Sequence, residues 1–135
     1  VTSTAAAPTD LDVDVVLLTV PADGAYLGVL RTAAAGLAAR LHFTLDEIED
    51  LRIAVDEACG MLLRVAPPAA ELQCRFAVQG EELGVEVAVP TSSNAALPTT
   101  SSFPWKVLAS LADTASVTTD DHTATISLTA RRAGR

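Results

Sequence analysis

The chain has 135 residues and a mass of 13.9 kDa, the size of one domain. Half of the residues are hydrophobic but only 4% are aromatic, so the core has to be built from Ala, Val and Leu. Nine Lys and Arg stand against 17 Asp and Glu, and three of the nine (Arg131, Arg132, Arg135) sit in the last five positions, which leaves no clustered basic footprint for nucleic acid; no apolar run is long enough to span a membrane.

Residues 1–11 lack periodicity, and they carry no basic region followed by an apolar stretch. A flexible N-terminal segment is expected there rather than a targeting signal, with a cytoplasmic location. A single domain is expected over 12–130 and a flexible tail over 131–135. Asp12 to Val20 is Val- and Leu-rich and bounded by Pro21, which predicts a strand, and Pro21 to Gly24 reads as a turn. From Tyr26 the period changes: Val29, Leu30, Ala33, Ala34, Leu37, Ala38 and Leu41 trace one helical face. Thr44-Leu-Asp-Glu47 is a capping box, with Phe43 and Ile48 placed as a hydrophobic staple. The helix it opens runs from about Leu45 to Val65 and stops before Pro67-Pro68.

Leu72, Cys74, Phe76 and Val78 alternate with polar residues, and Leu83, Val85, Val87 and Val89 do so again after Gly80-Glu81. That is a hairpin of two half-buried antiparallel strands. Thr91 to Ser102 is a polar loop of a length that is either functional or disordered. A short helix follows around Trp105 and Leu108, then a second hairpin, Ala115–Thr119 and Thr123–Ala130. The order β-α-α-β-β-loop-α-β-β implies an α+β fold, a two-layer α/β sandwich with a mixed, mostly antiparallel sheet and helices on one face.

Glu57 shares a helical stripe with Ile53, Met61 and Arg64, at the margin of the buried face. A partly desolvated carboxylate there can serve as a general base; an ion pair with Arg64 is the plainer alternative. His42 and His122 have no third ligand arranged around them, so no metal site is expected. Cys59 and Cys74 lie in apolar-patterned segments without Cys-x-x-Cys spacing, as buried free thiols do. Trp105 reads as core or as an interface anchor. Neither a Gly-x-Ser-x-Gly elbow nor a glycine-rich phosphate loop occurs.

The element order and the stretch Leu51-Arg-Ile-Ala-Val-Asp-Glu-Ala-Cys59 resemble the RsbW-type anti-sigma factors and serine-protein kinases, a small branch of the GHKL (Bergerat) ATPase fold. Val55-Asp-Glu-Ala-Cys59, Phe103-Pro-Trp-Lys-Val-Leu108 and Ala130-Arg-Arg132 look most like the actinobacterial UsfX-like members. The resemblance covers about residues 12–132. It implies a homodimer that sequesters an alternative, general-stress type sigma factor and is released by an anti-anti-sigma factor, without direct contact to nucleic acid or membrane. It also implies ATP and Mg²⁺ as cofactors of a kinase that phosphorylates a serine or threonine of the antagonist, with Glu57 as its general base.

Four positions matched to the family's nucleotide site are substituted. Met61 stands where the family carries an Mg²⁺-binding Asn, and a thioether is a poor donor for that hard cation. Pro90 opens Val89-Pro-Thr-Ser-Ser-Asn94, where the family carries Asp-x-Gly-x-Gly. Ser102 and Pro104 replace the glycines of a phosphate-cradling turn, and Pro104 has no N–H to donate. ATP binding and kinase activity are therefore expected to be weak or lost. Asp23, Tyr26 and Arg31, around the start of the first helix, are the expected sigma contacts, Arg31 pairing with an acidic residue of the partner.

Overall fold

The computed structural model describes residues 13–92 and 99–133. The N-terminal segment 1–11, the middle of the polar loop at 93–98 and the last two residues of the expected tail lie outside the described residues. Strand β1 is Asp14–Pro21, and a 3₁₀ turn, Gly24–Tyr26, leads into helix α1, Leu27–Arg40. Helix α2 is Leu45–Leu63, followed by β2, Glu71–Gln79, and β3, Glu82–Pro90. Helix α3 is Phe103–Leu111, and β4, Thr114–Thr119, and β5, Thr123–Arg131, complete the chain order.

The five strands form one sheet in the order β1-β2-β3-β5-β4, and every pairing between them is antiparallel. The three helices cover one face, giving the two-layer α+β sandwich. Helix α2 is the centre of that layer, packed between α1 and α3 and over β3 and β5. Its Leu51, Val55, Ala58, Cys59 and Leu62 meet Leu72, Cys74, Phe76, Leu83, Val85, Val87, Ile126 and Leu128 of the sheet in one core. Trp105 is 7% exposed and belongs to that core.

Local chemistry explains the boundaries. Glu47 N–H donates to Thr44 Oγ1 at 3.1 Å and Thr44 N–H to Glu47 Oε1 at 2.7 Å, so both halves of the capping box are made. Phe43 is buried and Ile48 half-buried, as a staple requires. The β2–β3 turn has Gly80 at φ 61, the position where a type II′ hairpin turn takes glycine. At the β4–β5 turn Asp120 Oδ1 accepts from His122 N–H and Thr123 N–H, holding the tip closed. Arg131 to Ala133 are not loose: β5 continues through Arg131, whose N–H donates to Asp113 Oδ2 at 2.6 Å, and Ala133 N–H donates to Glu47 Oε2 at 2.8 Å.

Candidate functional site

Two regions gather the chemistry-bearing residues, one on each flank of α2. Consecutive residues of a helix diverge by about 100°, so Asp56 and Glu57 address different neighbours. Asp56 leans to α1, where Arg31 Nη1 donates to its Oδ1 at 2.6 Å. Glu57 lies two turns beyond Asp50, on the same stripe, and Asp50 shares a hollow with Leu111 and Asp113 at the far end of α3. That stripe is the α3 flank of the helix.

On the α3 flank, Glu57 is half-buried and makes no hydrogen bond or ion pair among the described residues; the pair with Arg64 is not formed. Met61, one turn on, is 5% exposed, so its thioether is committed to packing. The start of α3 is closed by its own residues. Ser102 N–H donates to Thr99 O at 3.2 Å, Trp105 N–H donates to Ser102 Oγ at 3.3 Å, and Pro104 within the first turn has no N–H. Ser102 Oγ in turn donates to Thr99 O at 2.9 Å. Of the backbone donors that make a helix start attractive to anions, most are therefore spent or missing. Pro90 is exposed at the end of β3, and the next residue, Thr91, is buried with its N–H donating to His122 O at 2.7 Å. No group of three His, Cys, Asp or Glu able to hold a metal occurs among the described residues.

On the α1 flank, Arg31, Glu49, Arg52, Ile53 and Asp56 line a hollow of about 210 Å³. Arg52 also pairs with Glu49 at 3.5 Å, and Ile53 is 38% exposed among these charges. Of this set, sequence points to Arg31 as a partner contact and to Asp56 beside Glu57, but not to the two as a pair. The Glu49–Arg52–Asp56 spacing, i, i+3 and i+7, was the available signal, and it is equally the signature of a plain solvated face. Tyr26 is 44% exposed beside Val29 at 48%, so it is a surface residue at the entry to α1. Asp23 caps the 3₁₀ turn, its side chain accepting from Ala25 N–H at 2.9 Å. The expected partner contacts thus fall into an exposed aromatic, an arginine oriented by Asp56 and a turn-forming aspartate.

The two cysteines are free and buried. Burial, then nearby Cys74 and Asp56, push the Cys59 thiol up to about 12, and burial pushes Cys74 up to about 12. Neither is a nucleophile near neutral pH.

No family model matches the chain. Curated proteins do. It is 41% identical over 78 residues to the serine-protein kinase RsbW of Bacillus subtilis, a match covering 56% of this chain and 49% of that protein. The chain is a distant homologue of the RsbW kinases. The RsbW of Bacillus velezensis is 39% identical over 79 residues, 56% of this chain and 49% of the relative. That of Halalkalibacterium halodurans is 52% identical over 42 residues, 31% of this chain and 26% of the relative. The chain matches about half the length of the first two RsbW proteins. The α/β sandwich found here is the layer arrangement expected of a GHKL-like fold, and no described helix is long and apolar enough to cross a membrane.

Proposed function

We propose that this protein is an anti-sigma factor that sequesters an alternative, general-stress type sigma factor and is released by an anti-anti-sigma factor, with little or no phosphoryl transfer. The likeness to the RsbW kinases carries the reading, and the chemistry on the two flanks of α2 gives it its particular form. Phosphoryl transfer needs the charge of the moving group neutralised by metal and by backbone donors. The α3 flank offers a buried thioether at Met61 and a helix start whose N–H groups are spent on Ser102 and Thr99 or absent at Pro104. Glu57 alone supplies neither. Capture of a protein partner asks only for a folded surface of complementary charge. The α1 flank supports this reading: Arg31 is held by Asp56, Arg52 and Glu49 lie beside it, and Tyr26 is exposed at the entry to α1.

The second reading is an ATP-dependent kinase for an anti-anti-sigma serine or threonine. It is favoured by one observation, the half-buried Glu57 carboxylate with no bond to a described residue. The two readings part in one experiment: calorimetric titration with the stress sigma factor of the source organism, with and without Mg-ATP, alongside phosphate transfer to its anti-anti-sigma factor. Sequestration predicts binding unchanged by nucleotide and no transfer. Nucleotide-dependent binding, or transfer abolished by Glu57→Ala, establishes the kinase instead. No binding to sigma in either condition overturns both.

A further inference from the structure

Strand β4 is an edge of the sheet, paired with β5 on one side and with no described strand on the other. Asp120 N–H donates to Thr123 O at 3.0 Å, which sets the phase of the β4–β5 ladder. Alternation then makes Thr118–Thr125, Ser116–Ser127 and Thr114–Thr129 the hydrogen-bonded pairs. The N–H and C=O groups of Ala115, Val117 and Thr119 point away from β5, and no described residue bonds to them. An edge of this kind is normally blunted by lysine, proline or a bulge. Thr114-Ala-Ser-Val-Thr-Thr119 has no charge and no proline, and its register with β5 is unbroken. The opposite edge is less receptive. Ala22 N–H donates to Ala70 O, so the outward phase of β1 includes Pro21, which has no N–H. Val15 and Leu17 of that strand project from the helix-free face, 44% and 70% exposed.

Acidic groups bracket the β4 edge. Asp113 precedes the strand, and Asp120 and Asp121 follow it, all exposed. Ala115 and Val117 are half-buried and pack against the core, which puts them on the helix side of the strand. At the start of β4, on that same side, Glu47, Asp50 and Asp113 line a hollow of about 250 Å³. Arg131 borders it as well, but its guanidinium is drawn to Glu82 at 3.5 Å. At the other end Asp120 Oδ1 is committed to the turn, while Asp121 makes no hydrogen bond or ion pair among the described residues.

We infer that β4 takes up an extended segment of another protein as a further antiparallel strand, one with Lys or Arg at both ends and β-branched residues between. The backbone of that segment pairs with Ala115, Val117 and Thr119. Its residues opposite Ala115 and Val117 lie on the same side as they do and extend the margin of the core. One basic end enters the hollow beside Asp113, and the other reaches Asp121, about 27 Å away at about 3.4 Å per residue. Main-chain bonds supply the affinity and the placed side chains the specificity, the usual division in strand addition. Charge selects this occupant over a second copy. Two β4 strands paired antiparallel about Val117 would set the Asp113 end of one against the Asp121 end of the other. Like charge would meet like at both ends, in chains of net charge −8.

An NMR titration of the nitrogen-15-labelled full chain with the peptide acetyl-Lys-Thr-Thr-Thr-Val-Thr-Val-Thr-Lys-amide tests this. Saturable shifts confined to β4 and its flanks are expected, with slowed exchange of the Ala115, Val117 and Thr119 amides. A peptide of the same charge with proline for both valines is expected not to bind. Val117→Pro, at an edge position whose N–H faces solvent, should weaken binding at least about tenfold. Asp121→Lys, on an exposed turn, reads the same edge without touching the core. It should weaken the first peptide and favour a version with Glu for the first Lys, the end that an antiparallel strand places there. No saturation at millimolar peptide, shifts that leave the β4 amides untouched, equal binding of the proline peptide, or an Asp121→Lys chain with the original preference each overturn the proposal. Sigma binding takes no part in the measurement, so the failure of one reading leaves the other standing.

Discussion

Asp56 holds Arg31 across the groove between α1 and α2, in a pair whose side chains are 37% and 45% exposed. Solvent screens such a pair, so its worth to the fold is small, below about 1 kcal/mol. Under the proposed sequestration of a sigma factor, its worth to recognition is orientation. Asp56→Ala is expected to leave the urea midpoint almost unchanged while lowering affinity for the sigma factor several-fold; a large stability loss instead would make the pair structural. The two thiols make a separate prediction. Each titrates near 9 when unfolded and is pushed up to about 12 in the fold by burial. The unfolded chain therefore loses these protons first as pH rises, so stability is at its full value below about 9 and falls between about 9 and 12. Replacing Cys59 and Cys74 by Ala and Val should flatten that alkaline limb in chemical melts. In the native protein at pH 8, neither thiol should react with a disulfide reagent before unfolding.

Among the elements, α2 is the one on which the layer depends. Thr44→Ala removes one bond of the capping box and is expected to cost about 1 kcal/mol. Glu47→Ala should cost more, because Glu47 also receives Ala133 N–H and so ties the chain after β5 to the first turn of α2. Equal losses for the two in chemical denaturation would show that this tie contributes nothing. The box, the helix it starts and the β2–β3 hairpin were legible in sequence because each is decided by neighbours in the chain: Thr44 with Glu47, Gly80 at a two-residue turn, Leu72 to Val89 in strict alternation. The Arg31–Asp56 pair was not legible, since it depends on how α1 lies against α2, 25 residues apart. The bound state of Arg131 to Ala133 was missed for the same reason. Their partners, Asp113, Glu81 and Glu47, lie in three other parts of the chain. At the candidate nucleotide flank, Met61 and Pro104 could be picked out by residue type. The self-closure of the α3 start by Ser102 and Thr99 needed coordinates.

For the whole molecule, the net charge of −8 sets how partners arrive. If the captured protein presents a basic face, association should slow steeply between about 50 and 300 mM salt while dissociation changes little, as steering rather than packing is screened. Stopped-flow traces over that range, showing instead a salt-insensitive on-rate, would place the contact on an uncharged patch. Sheet order has a kinetic consequence as well. Strands β2 and β3 are joined by a tight turn, as are β4 and β5, but Pro21 at the end of β1 pairs with Glu71 about fifty residues away. That pairing waits on closure of a long loop and is an edge pairing once made. Strand β1 should therefore be the last to dock and the first to leave, its amides exchanging with solvent through a local opening that spares the other four strands. Because the exposed Leu17 and Val15 ride on this strand, each such opening carries the protruding apolar side chains of the helix-free face away with it, and that face keeps its shape only as long as one edge strand stays in place.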